Sequence, residues 1–111
     1  MFRVRDRLYL MYTPFPAASG LWIAQTYAIE KDIVVDVFAR SMEYAGESEE
    51  FLCHILVDCE EIGVGGEDVE DDFVVFVEDS VYPVYGSKND KGELVQIRIE
   101  VLTSLINVQA W

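Results

Sequence analysis

"SEEFLCHILVDCEEIG" (48–63) is the stretch whose secondary structure decides the fold. Ser48 can cap a helix through its hydroxyl, acids at positions 49 and 50 suit the positive end of a helix dipole, and Gly63 supplies a stop. The apolar residues recur at helical spacing. They form one stripe: Phe51, Leu52, Ile55, Leu56, Cys59 and Ile62. The stretch therefore predicts one amphipathic helix.

Strands are predicted on both sides of this helix. Phe2, Val4, Leu8, Leu10 and Tyr12 share one parity, which is typical of one half-buried strand over the first twelve residues, and the proline-containing segment 13–20 is expected to be a loop. Strands are also expected at 21–29, 33–41, 73–78, 81–86, 94–102 and, after a bend, 105–111. The first two are expected to form a hairpin, the strand at 73–78 is apolar enough to be buried on both faces, and Pro83 favours an edge position for the strand at 81–86. In the strand at 94–102, Val95, Ile97, Ile99 and Val101 are expected inward and Gln96, Arg98 and Glu100 outward. The predicted class is α+β, a curled antiparallel sheet of about five to six strands (order β-β-β-α-β-β(-β)) with one amphipathic helix packed on it.

The length and composition indicate one folded domain, 1–111. A chain of 111 residues with 51% hydrophobic residues can bury a core and is too apolar to be disordered. No apolar run reaches the roughly 18 residues that a membrane span needs, and the apolar patch 8–12 is too short for a secretory signal. Cys53 and Cys59 would lie two turns apart on the predicted helix and cannot bridge. Reduced thiols favour a cytoplasmic protein.

Known catalytic and ligand-binding patterns are not found in the sequence. The glycines at 63–66 are followed by acids, which would repel a phosphate, and no phosphate-loop spacing is present. Cys53, His54 and Cys59 scatter around the predicted helix and do not share a metal-binding face. The acidic stretch that begins at Gly66 lacks the register of a calcium loop. We therefore expect no enzyme activity, no metal and no cofactor.

The negative charge is confined to one half of the chain. Residues 41–87 hold 14 of the 21 acids and none of the eight Lys and Arg residues, so the net charge of −13 arises there. A solvated acidic face is the ordinary interpretation of such a run. Two observations favour a function: solubility needs a net charge of only about 2 to 8 in magnitude, and acids at the predicted helix C-terminus would each cost about 0.3–1 kcal/mol.

This charge predicts a basic partner. The leading hypothesis is a non-enzymatic inhibitor that occupies the nucleic-acid-binding surface of a partner protein or nuclease complex. In size and charge the chain resembles the DNA-mimic inhibitors that phages and mobile elements use against restriction and CRISPR nucleases. The predicted partner-binding residues are Glu49, Glu50, Asp58, Glu60, Glu61, Glu67, Asp68, Glu70, Asp71 and Asp72.

Two other interpretations stay open. An immunity protein or secretion chaperone would hold a cognate toxin or effector through apolar anchors inside a charged rim, with Val57, Tyr82, Tyr85 or Trp111 as candidates. A structural or assembly subunit would add the 105–111 tail to another chain as a strand. For all three interpretations we expect no direct nucleic-acid binding and no membrane binding, and a homodimer stays open.

Overall fold

A computed structural model describes residues 1–30, 33–66 and 73–101, with side chains at positions 30 and 33 excepted. Ten strands are found in these residues. They are β1 (Phe2–Val4), β2 (Arg7–Leu10), β3 (Thr13–Pro16), β4 (Gly20–Glu30), β5 (Ile33–Ser41), β6 (Glu49–Val57), β7 (Glu61–Gly65), β8 (Phe73–Phe76), β9 (Ser80–Lys88) and β10 (Leu94–Glu100).

The strands form two antiparallel sheets. Sheet A has six strands in the order β1-β4-β5-β10-β9-β6, and sheet B has four in the order β3-β2-β7-β8. The chain passes between the sheets four times, from β1 to β2, β3 to β4, β6 to β7 and β8 to β9. The β6–β7 and β8–β9 crossings lie next to each other because β6 pairs with β9 and β7 pairs with β8.

One hydrophobic core is shared by both sheets. Sheet A contributes Trp22 and Ile97, and sheet B contributes Leu8 and Ile62, all fully buried. The Trp22 indole N–H donates to the carbonyl of Ala18 at 3.0 Å, which satisfies its buried polar atom. Alternation of apolar and polar residues explains the arrangement, since each strand turns its apolar parity toward this core.

The predicted helix is wrong, and with it the α+β class: in the described residues the protein is all-β. Residues 49–57 form β6, and Cys53, Ile55 and Val57 turn toward the interior at the strand period of two. The segment is so rich in apolar residues that it fits both periods, and its aromatic and β-branched side chains suit a strand. Pairing with β9 over eight residue pairs selects the strand.

The strand predictions fare better. The hairpin of 21–29 and 33–41 is confirmed as β4 and β5. Along β10 and the residue after it, Val95, Ile97, Ile99 and Val101 are buried as expected, but Gln96, expected outward, is buried as well. The strand expected over the first twelve residues is divided into β1 and β2, which belong to different sheets, and the segment expected to be a loop at 13–20 contains β3.

Two predictions about sheet position are wrong. Pro83 was expected to place its strand at an edge, but β9 is an interior strand. The pairing of β10 with β9 ends at Val84, so at Pro83 itself β9 pairs with β6 alone. The strand at 73–78 was expected to be buried on both faces, whereas Val74 and Phe76 are exposed. The tail at 105–111 lies outside the described residues. Across the described ranges, no helix is long and apolar enough to cross a bilayer.

Candidate partner-binding surface

The predicted partner-binding acids do not form one row. Glu49 and Glu50 begin β6, whereas Asp58, Glu60 and Glu61 lie at and just after its other end. Nine residues of extended strand separate the two groups by about 26 Å. The remaining five predicted acids, Glu67, Asp68, Glu70, Asp71 and Asp72, lie outside the described residues.

The two acids at the start of β6 are neutralised by basic residues. The Arg98 guanidinium donates to both carboxylate oxygens of Glu49, at 2.9 and 3.1 Å. The Lys88 ammonium lies 2.9 Å from the Glu50 carboxylate. Neither base was expected to meet these acids, because both follow the base-free segment in sequence and reach β6 only through the order of strands in sheet A. Glu49 and Glu50 are therefore poor candidates for attracting a distant cation.

Three of the predicted acids and two further acids lie at two adjacent turns, which we call the acidic end. It consists of Asp58, Glu60, Glu61, Glu78 and Asp79, all exposed. The Glu60 N–H donates to Oδ1 of Asp79 at 2.8 Å, and the Val77 N–H donates to the Glu60 carbonyl at 3.0 Å. These bonds connect the β6–β7 turn to the β8–β9 turn. They hold residues that are about twenty positions apart in sequence at one end of the molecule.

The acidic end carries uncompensated charge. Among the described residues, none of its five carboxylates lies within 4.0 Å of a Lys or Arg nitrogen. Glu78 and Asp79 were not predicted as site residues, although they belong to the base-free segment. Only the pairing of β7 with β8 and of β6 with β9 shows that they join Asp58 and Glu60.

The backbone of the acidic end includes a strained residue. Glu60 has φ of 61°, in the left-handed region that a side chain with a Cβ disfavours. No helix ends here, so the expected penalty from a helix dipole does not apply to Asp58, Glu60 or Glu61. The placement of these three acids therefore gives no sign of function by itself. What distinguishes this surface is the clustering of exposed carboxylates without a Lys or Arg partner among the described residues.

Arg98 organises the outer face of sheet A, the face that points away from the core. Besides Glu49 on β6, it donates to Asp36 on β5 at 3.0 Å, and its guanidinium lies 4.6 Å from the centre of the Tyr85 ring on β9. Hydrogen bonding to Glu49 is the main cause that raises the pKa of Arg98, and partial burial opposes it. One side chain thus ties three other strands to β10.

A second basic residue lies on the same face. The Arg40 guanidinium donates from Nε to Oε1 of Gln96 at 2.6 Å and lies 4.5 Å from the Tyr44 ring centre. Arg40 also borders a depression of about 150 Å³ between β4 and β5. That volume is below the roughly 300–1,000 Å³ typical of small-molecule sites.

The metal-capable residues are not brought together. Cys53 is half-buried on the inward side of β6, His54 is exposed on the outer side, and Cys59 is exposed in the following turn, with its thiol 3.5 Å from the Glu61 carbonyl. Both thiols are free. The described residues contain no group of three or more His, Cys, Asp or Glu side chains placed to hold a metal ion.

Comparison with known proteins does not add a family to these observations. No protein-family model, no curated protein and no solved structure matches the chain.

Proposed function

We propose that this protein is a non-enzymatic binding protein whose acidic end engages a cationic surface of a partner protein. The observation that supports this most directly is the pair of hydrogen-bonded turns that present five exposed carboxylates without a base in reach among the described residues. Clustered charge of one sign raises the rate of encounter with an oppositely charged surface.

The partner class follows from this charge. Grooves that bind nucleic acid are basic because they must neutralise closely spaced phosphates, so a nucleic-acid-binding protein or a nuclease complex is the partner we propose. The protein would inhibit such a partner by occupying its groove. Glu49 and Glu50 have no direct part in this proposal because Arg98 and Lys88 already compensate their charge.

The test is a pull-down with two variants of equal net charge. The first replaces Asp58, Glu61 and Glu78 by Asn or Gln at the acidic end, leaving Glu60 and Asp79 to hold the turns. The second replaces Asp6, Glu43 and Asp90, three exposed acids elsewhere. Each variant changes the formal net charge from −13 to −10. Only the first is expected to lose the partner from a lysate of cells that contain it.

Elution identifies the kind of partner. Release of a nucleic-acid-binding protein by duplex DNA or by moderate salt supports groove occupation, because screening weakens such contacts above physiological ionic strength. Equal loss of binding in both variants contradicts a localised site. Retention of the partner by the acidic-end variant contradicts the proposal outright.

A second function is favoured by one observation, the exposed apolar side chains on β6 and β9. Phe51, Leu56 and Val81 are all more than half exposed. An immunity protein or secretion chaperone would use such residues as anchors inside a charged rim. The anchors expected from sequence need correction, since Val57 and Tyr82 are buried, Tyr85 is half-buried and Trp111 lies outside the described residues. A complex that resists salt and duplex DNA supports this alternative.

A further inference from the structure

β6 is the longest edge strand of either sheet in the described residues. It is the last strand of sheet A and, within the described residues, pairs on one side only, with β9. An edge strand presents unpaired N–H and C=O groups that another chain can pair with. β6 therefore offers a row of backbone hydrogen-bonding groups nine residues long.

The other sheet edges are protected in ways that β6 is not. β1 has three residues and β8 has four, and β3 contains Pro14 and Pro16. Short strands and prolines are common devices against unwanted pairing, as is a lysine on the edge. β6 contains neither proline nor lysine, and its only irregularity is a register shift between Phe51 and Cys53.

Exposed apolar side chains follow this edge on the outer face. The pairs His54 with Pro83 and Leu56 with Val81 place these four side chains on that face. Phe51 is half exposed, and its ring centre lies 5.0 Å from that of His54. Leu56 is 69% exposed and is the most accessible of the apolar residues on β6. An added strand would cover these side chains with its own residues of one parity.

The charge around β6 disfavours a second copy of this chain as the occupant. Antiparallel self-pairing about the middle of the strand would leave Asp58 and Glu60 of each copy without a free cation, because Arg98 and Lys88 already pair with Glu49 and Glu50. Two chains of net charge −13 also repel each other. The same charge favours a basic segment as the occupant, because its cationic residues can meet the exposed carboxylates just beyond Val57.

We propose that β6 receives an extended basic segment of a partner protein as an added antiparallel strand. Apolar side chains of one parity cover Phe51, His54 and Leu56, while Lys or Arg at the N-terminal end of the segment meets Asp58 and Glu60. This inference deepens the proposed function, on which it rests for the cationic character of the partner. It adds the mode of recognition, in which main-chain hydrogen bonds give affinity and alternate side chains give selectivity.

The test uses a capped nine-residue peptide, Arg-Lys followed by alternating valine and threonine, added to the full-length protein. The matched control is the same peptide in reverse order. Calorimetry is expected to show about fivefold tighter binding of the peptide with the basic N-terminus, the order expected of two exposed ion pairs. Methylation of the backbone nitrogens along one edge of the peptide is expected to weaken binding at least about tenfold, because it removes ladder hydrogen bonds.

Two further measurements locate the peptide. Amide hydrogen exchange followed by NMR is expected to slow at alternate residues of β6 and to stay unchanged in β1. Leu56→Ser is expected to weaken binding about fivefold through lost apolar contact, whereas Val74→Ser, which changes an exposed residue of β8, leaves it unchanged.

The failures of the two proposals are distinguishable. Equal binding of the N-methylated peptide, or a protein dimer in which β6 amides are already protected, overturns strand addition and leaves the role of the acidic end intact. Strand addition stands if the variant of Asp58, Glu61 and Glu78 binds the peptide and its reversed control with equal affinity while the β6 amides are still protected from hydrogen exchange. A basic partner that this variant still retains from lysate would instead overturn the acidic-end proposal.

Discussion

Replacing Arg98 by Met tests whether one side chain holds the outer face of sheet A together. Arg98 makes two hydrogen bonds to Glu49 and one to Asp36, and its side chain is only 22% exposed. The substitution keeps most of the apolar stem but removes the charge. It leaves the carboxylates of Glu49 and Asp36 on the same face without their shared cation.

The expected loss of stability is about 2–3 kcal/mol. A hydrogen bond to a charged group contributes about 1.5–3 kcal/mol when buried. The exposure of Glu49 (32%) lowers its share, while Asp36 (15%) is better shielded from water. Lys88→Met is the matched control, because the Lys88–Glu50 pair is 45% and 55% exposed and such pairs contribute about 0–1 kcal/mol.

Urea unfolding followed by circular dichroism measures both variants. Arg98→Met is expected to lower the midpoint with little change in the m-value, and to lower the melting temperature by about 10 °C for a domain of this size. A double-mutant cycle with Glu49→Gln is expected to give a coupling energy of about 1 kcal/mol. If Arg98→Met and Lys88→Met differ by less than about 0.5 kcal/mol, the reasoning from burial and bidentate geometry is refuted.

Two other predictions concern the backbone and the thiols. Gly66→Ala is expected to lower the free energy of unfolding in urea by about 3 kcal/mol, because its Cβ would overlap the Arg3 carbonyl oxygen. Gly63→Ala is the control and is expected to be nearly neutral, because a Cβ there meets no atom within 4 Å. Equal effects of the two substitutions would contradict the packing argument. Burial raises the pKa of the Cys53 thiol, so less thiolate is present near pH 8. In the single-cysteine variants Cys53→Ser and Cys59→Ser, iodoacetamide is therefore expected to modify Cys59 about tenfold faster than Cys53. Faster modification of Cys53 than of Cys59 would contradict the half-buried position of Cys53 on β6.

The candidate surface was only partly predictable. The absence of Lys and Arg between 41 and 87 is a property of the sequence, and it is the signal that predicted Asp58, Glu60 and Glu61 as partner-binding residues. That Glu78 and Asp79 join them depends on which strands cross between the sheets. That Glu49 and Glu50 do not join them depends on Arg98 and Lys88, which are 49 and 38 positions away in sequence and reach β6 from β10 and β9 of the same sheet.

Local sequence determined the strands whose apolar residues alternate, such as the β4–β5 hairpin and β10. Apolar residues at every second position, with polar residues between them, fit a strand and do not fit a helix. Local sequence did not determine the state of 48–63, where apolar residues are dense enough to satisfy the helical period as well as the strand period. Tertiary structure decided that choice, since β9 needs a partner for its backbone groups and β6 supplies it through eight residue pairs. The same pairing fixed which carboxylates are compensated and which are left in solvent, because ion pairs across a sheet depend on strand order and not on distance along the chain.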